Sequence, residues 1–229
     1  MTAMASIWDW FLNADNWTGS SGVPARLVEH LWISARALII AFAIALPLGV
    51  WLGHKGRYGT LVTSIGNLGR AIPTFALLII LASWETVGVS DLAAIIALAI
   101  FAIPPVLTNA FVGIRDTDRT ARESARGMGM TGSQVLWRVE LPLSVPVVAA
   151  GIRTSTVQVV ATATLAALVG GGGLGRFVVD GFGRQDITLM LAGVILVAVV
   201  CVTIELVLGG VQKVLTPRPL RGSRIRSAF

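Results

Sequence analysis

The sequence predicts an all-α membrane protein, and three observations lead to this fold class. The chain of 229 residues is 55% hydrophobic and has a mean hydropathy of +0.79. Only 13% of its residues are charged, whereas an ordinary soluble domain carries about 25%. The apolar residues fall into long uninterrupted segments, and most of the charged residues lie between or after these segments. Together these features are typical of proteins that cross a bilayer several times.

Five apolar segments are each long enough to cross a membrane, since a spanning helix needs about 20 residues. The second is the least regular, because Arg70 and Pro73 interrupt it. We therefore expect a transmembrane domain over residues 28–212 and a basic tail over 213–229. The predicted spans cover approximately residues 28–53, 60–84, 92–114, 143–169 and 187–212.

The N-terminal segment, residues 1–27, precedes the first predicted span. It lacks the basic start of a signal peptide, and Asp9 and Asp15 precede any long apolar run. Its Trp and Phe side chains are of the type found at the membrane–water interface, which predicts an interfacial segment. A disordered tail is the alternative. The aromatic residues are Trp8, Trp10, Phe11 and Trp17.

The distribution of basic residues predicts how the chain is oriented in the membrane. Twelve of the eighteen Lys and Arg residues lie in the connections 54–59 and 115–142 or after residue 212, and three lie on the opposite side. Basic residues are enriched on the cytoplasmic side. We therefore expect the N-terminus outside, and the 115–142 connection and the C-terminus in the cytoplasm.

The basic net charge of +6 does not indicate nucleic-acid binding, because the positive charge is already explained by this asymmetry. Cys201 is the single cysteine and lies in an apolar run, so no disulfide within the chain is possible. Neither a His/Glu metal motif nor a nucleophile elbow is present, and the predicted topology places His30 and His54 on opposite sides.

The connection 115–142 contains a polar region that is predicted to fold as helix, break and helix. Thr120 and Glu123 have capping-box spacing, and Ala121, Ala125 and Met128 then share one helical face. Gly127 and Gly129 can end this helix through a left-handed residue. A second capping pattern, Thr131 to Gln134, predicts a short helix that starts at Val135 and ends at Leu141-Pro142. A solvated loop without a partner is the alternative.

The same region resembles a cytoplasmic signature of ABC-importer permeases, in which Glu-Ala-Ala is followed by Gly and then by Ile-x-Leu-Pro. Here the corresponding residues have the same spacing throughout, with Ser124 in place of Ala and Val139 in place of Ile. They are Glu123, Ser124, Ala125, Gly129, Val139, Leu141 and Pro142.

Further motifs over about residues 27–212 are similar to the permeases that import glycine betaine, choline or carnitine. Arg70 departs from this branch, in which a neutral polar residue is expected. The similar motifs are Ile72-Pro73-Thr74, residues 125–131, Glu140 to Leu143, Ala150 to Thr154 and Gly171 to Gly175.

The resemblance implies a type I ABC-importer permease fold in a bacterial-type inner membrane. It implies a helix docked on a cytoplasmic ATPase and moved when two ATPase subunits close on ATP. ATP and Mg²⁺ belong to those partners, and this chain binds no cofactor. A second permease, identical or paralogous, and an extracytoplasmic solute-binding protein are also implied. The expected coupling residues are Ala121, Glu123, Ser124, Ala125, Gly127, Met128, Gly129, Leu141 and Pro142.

Other polar residues have weaker assignments. Arg153 and Glu205 are predicted at similar membrane depths, so an ion pair between them is favoured over a substrate-binding role. Thr154 and Thr162 are candidates for a pore lining, although such side chains usually bond within the helices. Gly171, Gly172 and Gly173 are candidates for an extracytoplasmic gate or docking turn. A phosphate loop is disfavoured, because Arg176 and Phe177 stand where Lys and Ser or Thr are required.

The sequence thus predicts a non-catalytic permease subunit of an osmoprotectant importer. A quaternary ammonium group is recognised by aromatic faces, and the predicted spans contain no Trp or Tyr cluster. We therefore expect the selective site on the separate binding protein. A permease for another small solute, such as the amino acid methionine, and an ATPase-independent channel or scaffold are the alternatives.

Overall fold

The computed structural model describes residues 2–216, and all regular structure within them is helical. Short 3₁₀ segments follow α1 and α8, at Ala14–Trp17 and Ala163–Val169, and a π-helical segment, Leu136–Glu140, lies between α7 and α8. The helices are α1 (Thr2–Leu12), α2 (Val23–Lys55), α3 (Gly59–Ala71), α4 (Thr74–Ala82), α5 (Asp91–Arg115), α6 (Arg119–Gly127), α7 (Gly132–Val135), α8 (Leu141–Thr162), α9 (Gly175–Arg184) and α10 (Ile187–Leu215).

Within residues 2–216, four continuous helical segments are long and apolar enough to cross a membrane. The second predicted span, 60–84, is divided into α3 and α4. The pair counts as a fifth span if it is taken as one bent segment. The break falls at Ile72-Pro73, because proline disfavours helical backbone in the preceding residue and has no N–H to continue the helix. The continuous segments are Val23–Lys55, Asp91–Arg115, Gly132–Val169 and Ile187–Leu215.

The prediction that Leu141-Pro142 ends a helix is wrong. Helix α7, the π segment and α8 follow one another without interruption through Pro142. The N–H of Leu141 donates to the carbonyl of Leu136, five residues back. This wider turn immediately precedes Pro142, whose ring would otherwise crowd the carbonyl four residues before it.

The first helix of the N-terminal segment packs against other helices of the chain. Trp10 makes an edge-on contact with Phe177 of α9, with ring centroids 5.6 Å apart. The hydroxyl of Thr188 on α10 lies 3.2 Å from that of Ser6. The first membrane-spanning helix begins at Val23, so it includes the end of the segment predicted as 1–27. The predicted basic tail lies outside the described residues from Pro217 onward.

The chain divides into two compact units. Unit 1 contains the residues up to Ala41, Ala71–Ala102 and Thr156–Ile204. Its helices approach one another closely at small residues, as membrane helices commonly do. A Cβ atom on Gly193 of α10 would lie 2.9 Å from the Cβ of Phe177, so glycine allows α9 to pack directly on α10.

Unit 2 contains Phe42–Arg70, Ile103–Ser155 and residues 205–216. Its core joins α2, α3 and α5 through a cluster of buried apolar residues: Ala45, Val62, Val106, Leu107 and Phe111. Helices α2 and α5 lie close together at Gly49 and Gly53. A Cβ on Gly53 would lie 2.7 Å from the carbonyl oxygen of Phe111. This packing fixes the last turn of α2 beside the end of α5, where the signature connection begins.

Candidate functional site

The connection 116–140 between α5 and α8, here called the signature loop, begins with helix α6. The cap of this helix differs from the predicted one. Asp118 is the N-cap, and its carboxylate accepts a hydrogen bond of 2.8 Å from the N–H of Thr120. Glu123 instead pairs with Arg119 at 2.7 Å, one helical turn away on the exposed surface. The Glu123 hydrogen bond raises the pKa of Arg119.

The predicted glycine break is confirmed. Gly129 has a φ of +82°, a conformation that glycine adopts without the steric cost other residues incur. This left-handed residue turns the chain back so that the N–H of Met130 donates to the carbonyl of Ala125 at 3.1 Å. The bond satisfies a carbonyl at the helix end, as in a Schellman motif.

The second capping box is also confirmed. The Thr131 hydroxyl accepts from the N–H of Gln134, and the Gln134 side chain accepts from the N–H of Thr131 at 2.8 Å. The helix begins at Gly132 rather than at Val135. It does so because a capping residue places the first helical residue directly after itself.

The signature residues differ in their exposure. Glu123 is exposed, and Met128 is 75% exposed. Ala125 is buried and Ala121 is half-buried, so the three residues predicted to share one helical face, Ala121, Ala125 and Met128, differ in exposure. Met128 is the C-cap, beyond the last helical residue, and this explains the difference. The other expected coupling residues that are exposed are Ser124, Gly127, Gly129 and Pro142, while Ala121 and Leu141 are half-buried.

The sequence patterns do not predict a buried cluster that joins the signature loop to α2. Glu140, the last residue of the π segment, has no exposed surface. Its Oε2 lies 2.6 Å from Nδ1 of His54, in the last turn of α2, and its Oε1 lies 2.9 Å from Nε of Arg122 on α6. We call these three residues the Glu140 cluster.

Arg122 connects the Glu140 cluster to a fourth element. Its Nη2 donates to the carbonyl of Ile114 at 2.8 Å and to that of Arg115 at 3.2 Å. These carbonyls belong to the last turn of α5, where a cation is favoured by the helix dipole. One arginine thus joins the end of α5 to a carboxylate that also contacts α2. The only sequence signal for Glu140 is its position in the Glu-Leu-Pro motif, and no sequence pattern pairs it with His54.

Elsewhere in unit 2, Arg153 lies 3.3 Å from Glu205 (Nε to Oε1). Both side chains are partly exposed, and a hydrogen bond of 2.9 Å from Gln212 to the carbonyl of Pro146 links the same two helices, α8 and α10. Thr154 is exposed in unit 2, whereas Thr162 is half-buried in unit 1.

The glycine-rich segment 170–175 of unit 1 is held by carboxylates. The N–H of Gly173 donates to Glu29 at 2.8 Å, and that of Gly172 donates to Asp91 at 3.1 Å. Glu29 also pairs with Arg26 at 2.9 Å. These amides face negative side chains, which disfavours a phosphate ligand in the same place. Gly171, Gly172 and Gly173 therefore form an anchored turn.

The other histidine is separate from this chemistry. His30 is buried in unit 1, and its Nε2 lies 2.8 Å from the carbonyl of Val160. Across residues 2–216, no group of three or more His, Cys, Asp or Glu side chains is arranged to hold a metal ion.

Comparison with known proteins shows the family to which the chain is similar in sequence. Residues 45–221 match the family described as "binding-protein-dependent transport system inner membrane component". The chain belongs to this family. It is therefore a multi-pass inner-membrane permease, and the signature loop lies within the matched region.

Curated relatives support the same assignment. The chain is 40% identical over 196 residues to the carnitine transport permease protein OpuCB of Listeria monocytogenes, covering 86% of this chain and 89% of the relative. It is 34% identical to the glycine betaine/carnitine/choline transport system permease protein OpuCB of Bacillus subtilis, with the same coverage of both chains. These relatives are permease subunits, so the present chain is a non-catalytic component whose ATPase is a separate protein.

A solved structure shows the same fold. The permease aligns with a chain of the MetNI methionine ABC transporter in an inward-facing conformation, with a TM-score of 0.73 and 23% sequence identity. The alignment covers 85% of this chain and 96% of that one. The predicted type I importer fold is thereby confirmed.

Proposed function

We propose that this permease imports osmoprotectants with a quaternary ammonium group, of the glycine betaine, choline or carnitine type. The observation that carries the proposal is the identity of 32–40% to relatives named for these solutes, over more than four-fifths of this chain. Methionine is the competing cargo among small amino acids, but the likeness to the methionine transporter concerns the fold alone.

In this proposal the signature loop is the docking element for the ATPase. The exposed Glu123 and Met128, together with the turn at Gly129, form a short rigid projection of unit 2. ATP and Mg²⁺ bind to two ATPase subunits, and their closure moves this projection. Rigid elements that transmit such motions to a bundle are a common basis of switching.

The orientation follows from charge. Lys55 and Arg57 lie beside the end of α2, and the signature loop adds exposed basic residues. Basic residues favour the cytoplasmic side, so we place the loop and the C-terminus there and the N-terminus outside. The basic residues of the loop that are exposed are Arg119, Arg126 and Arg138.

The assembly in this proposal contains two permeases and a binding protein. Two proteins of Listeria monocytogenes, OpuCB and OpuCD, are both named carnitine transport permeases, which supports a paralogous second permease for this system. The anchored turn at Gly171 to Gly173 would face the binding protein, and Thr154 and Thr162 would line the path of the solute. The binding protein would supply the selective aromatic site.

The direct test is uptake by the reconstituted system. The permease, its ATPase and its binding protein are placed in proteoliposomes, and the uptake of labelled glycine betaine, choline, carnitine and methionine is compared with and without ATP. ATP-dependent uptake of at least one quaternary ammonium solute is expected. Uptake of methionine alone would show that the solute is an amino acid rather than a quaternary ammonium compound. Uptake that needs no ATPase would support a channel.

A further inference from the structure

We propose that Glu140 is a positioning residue that fastens the signature loop to the ends of α2 and α5, so that these elements move together during ATP-driven transport. The inference rests on the proposed docking of the ATPase on this loop. It assigns a task to a residue that has no exposed surface and so cannot itself contact the ATPase.

Four elements of unit 2 are connected through one carboxylate and one arginine. Glu140 belongs to the π segment, His54 to α2 and Arg122 to α6, with contacts of 2.6 and 2.9 Å. Arg122 also donates to Ile114 and Arg115 at the end of α5. Helices α2 and α5 are both candidate membrane spans. A displacement of α6 is therefore transmitted to two spans through a single cluster.

Burial determines how firmly this connection holds. The side chain of Glu140 is 0% exposed, and those of His54 and Arg122 are 18% and 19% exposed. Separating a buried carboxylate from its cationic partner leaves a charge without solvation and is strongly unfavourable. The connection consequently stays closed while the loop moves, and it transmits motion as a rigid joint.

The contrast with Glu123 separates positioning from docking. Both glutamates lie in the signature loop and both contact an arginine, but Glu123 is 61% exposed in its side chain and pairs with Arg119 at the surface. Glu123 is available to a partner protein, whereas Glu140 is available only to its own chain. Loss of each carboxylate therefore has a different expected consequence.

The experiment compares Glu140→Gln with wild type in proteoliposomes containing the ATPase and the binding protein. The exposed carboxylate Glu85, which lies between α4 and α5 and outside the signature loop, provides the matched control Glu85→Gln. We expect the Glu140→Gln permease to retain the ATPase during purification and to hydrolyse ATP. The number of solute molecules moved per ATP is expected to fall about tenfold, while Glu85→Gln keeps the wild-type ratio.

Two further measurements keep a general folding defect apart from a positioning defect. Amide hydrogen exchange is expected to accelerate in α6 of Glu140→Gln and to remain unchanged in α10. The double variant Arg122→Met/Glu140→Gln removes both charges, so it is expected to regain the stability of the fold but not the coupling ratio. Accelerated exchange throughout the chain, or coupling restored together with stability, would show that Glu140 serves the fold alone.

Three further results would also overturn the inference. They are a wild-type coupling ratio in Glu140→Gln, unchanged exchange in α6, and loss of the ATPase from the purified complex, which would assign Glu140 to docking. Failure of the proposed function gives a different result, because wild-type permease itself would then neither retain an ATPase nor transport in response to ATP.

Discussion

Nδ1 of His54 lies 2.6 Å from Oε2 of Glu140, although the two residues are 86 positions apart. The contact joins the last turn of a membrane-spanning helix to the residue that precedes Leu141-Pro142 in the permease signature. Arg122 contacts the other carboxylate oxygen. The signature loop is therefore connected to the last turn of α2 through buried side chains. A solvated loop without a partner has no need of such a buried connection.

Glu123 and Arg119 provide a test of docking. Glu123→Gln and Arg119→Gln remove the same surface ion pair. If Glu123 acts on the ATPase, only Glu123→Gln lowers ATPase retention or the coupling of hydrolysis to transport. Copurification and the uptake-to-hydrolysis ratio are the measurements. Equal effects of the two substitutions would show that the ion pair, rather than the contact with the ATPase, matters.

Gly129 and Gly127 form a pair of positions that tests backbone strain alone. A Cβ at either position would meet no atom within 4 Å, but only Gly129 has a positive φ, +82°. Alanine in the left-handed conformation costs about 1–2 kcal/mol, so Gly129→Ala should lower the thermal unfolding midpoint of the purified permease in detergent. Gly127→Ala should leave the midpoint unchanged or raise it, because alanine favours the helix. The assignment of the turn is wrong if both behave alike.

Asp118 and Thr120 test which residue caps α6. Asp118 accepts the hydrogen bond from the N–H of Thr120, and loss of an N-cap side chain costs about 1 kcal/mol. Asp118→Ala should therefore accelerate hydrogen exchange in residues 119–123, whereas Thr120→Ala should have little effect. The reverse result would restore Thr120 as the cap.

Arg153 and Glu205 test an ion pair inside predicted spans. Because each residue offsets the charge of the other, Arg153→Gln and Glu205→Gln should each reduce the yield and the thermal midpoint of the assembled permease. The double variant should be less impaired than the sum of the single variants predicts. Strictly additive losses would contradict the pairing and favour separate roles for the two side chains.

Local patterns in the sequence determine much of this fold. Long apolar segments locate the spans because only a helix satisfies its own backbone in a bilayer. The capping box of Thr131 and Gln134 is predictable from the sequence, since both partners lie within four residues. The choice between Asp118 and Thr120 could not be made in the same way. Both residue types cap helices, and the path by which the chain leaves α5 decides between them.

The Glu140 cluster could not be predicted from the sequence for a different reason. His54 and Glu140 meet only after α2 and α5 pack through Gly53, and no periodic pattern records that long-range packing. The sequence pattern predicts a helix end at Pro142, because the wider π turn before it, which lets the helix continue, leaves no distinct pattern in the residues. Tertiary packing therefore supplied the part of the site that sequence patterns lack.

ATP-dependent uptake of glycine betaine, choline and carnitine can be measured in proteoliposomes that contain the permease, its ATPase and its binding protein. We expect uptake of at least one of these solutes that requires ATP and the binding protein and is lost when the ATPase is omitted. Uptake that persists without the ATPase, or the absence of all three uptakes while hydrolysis proceeds normally, would contradict this expectation.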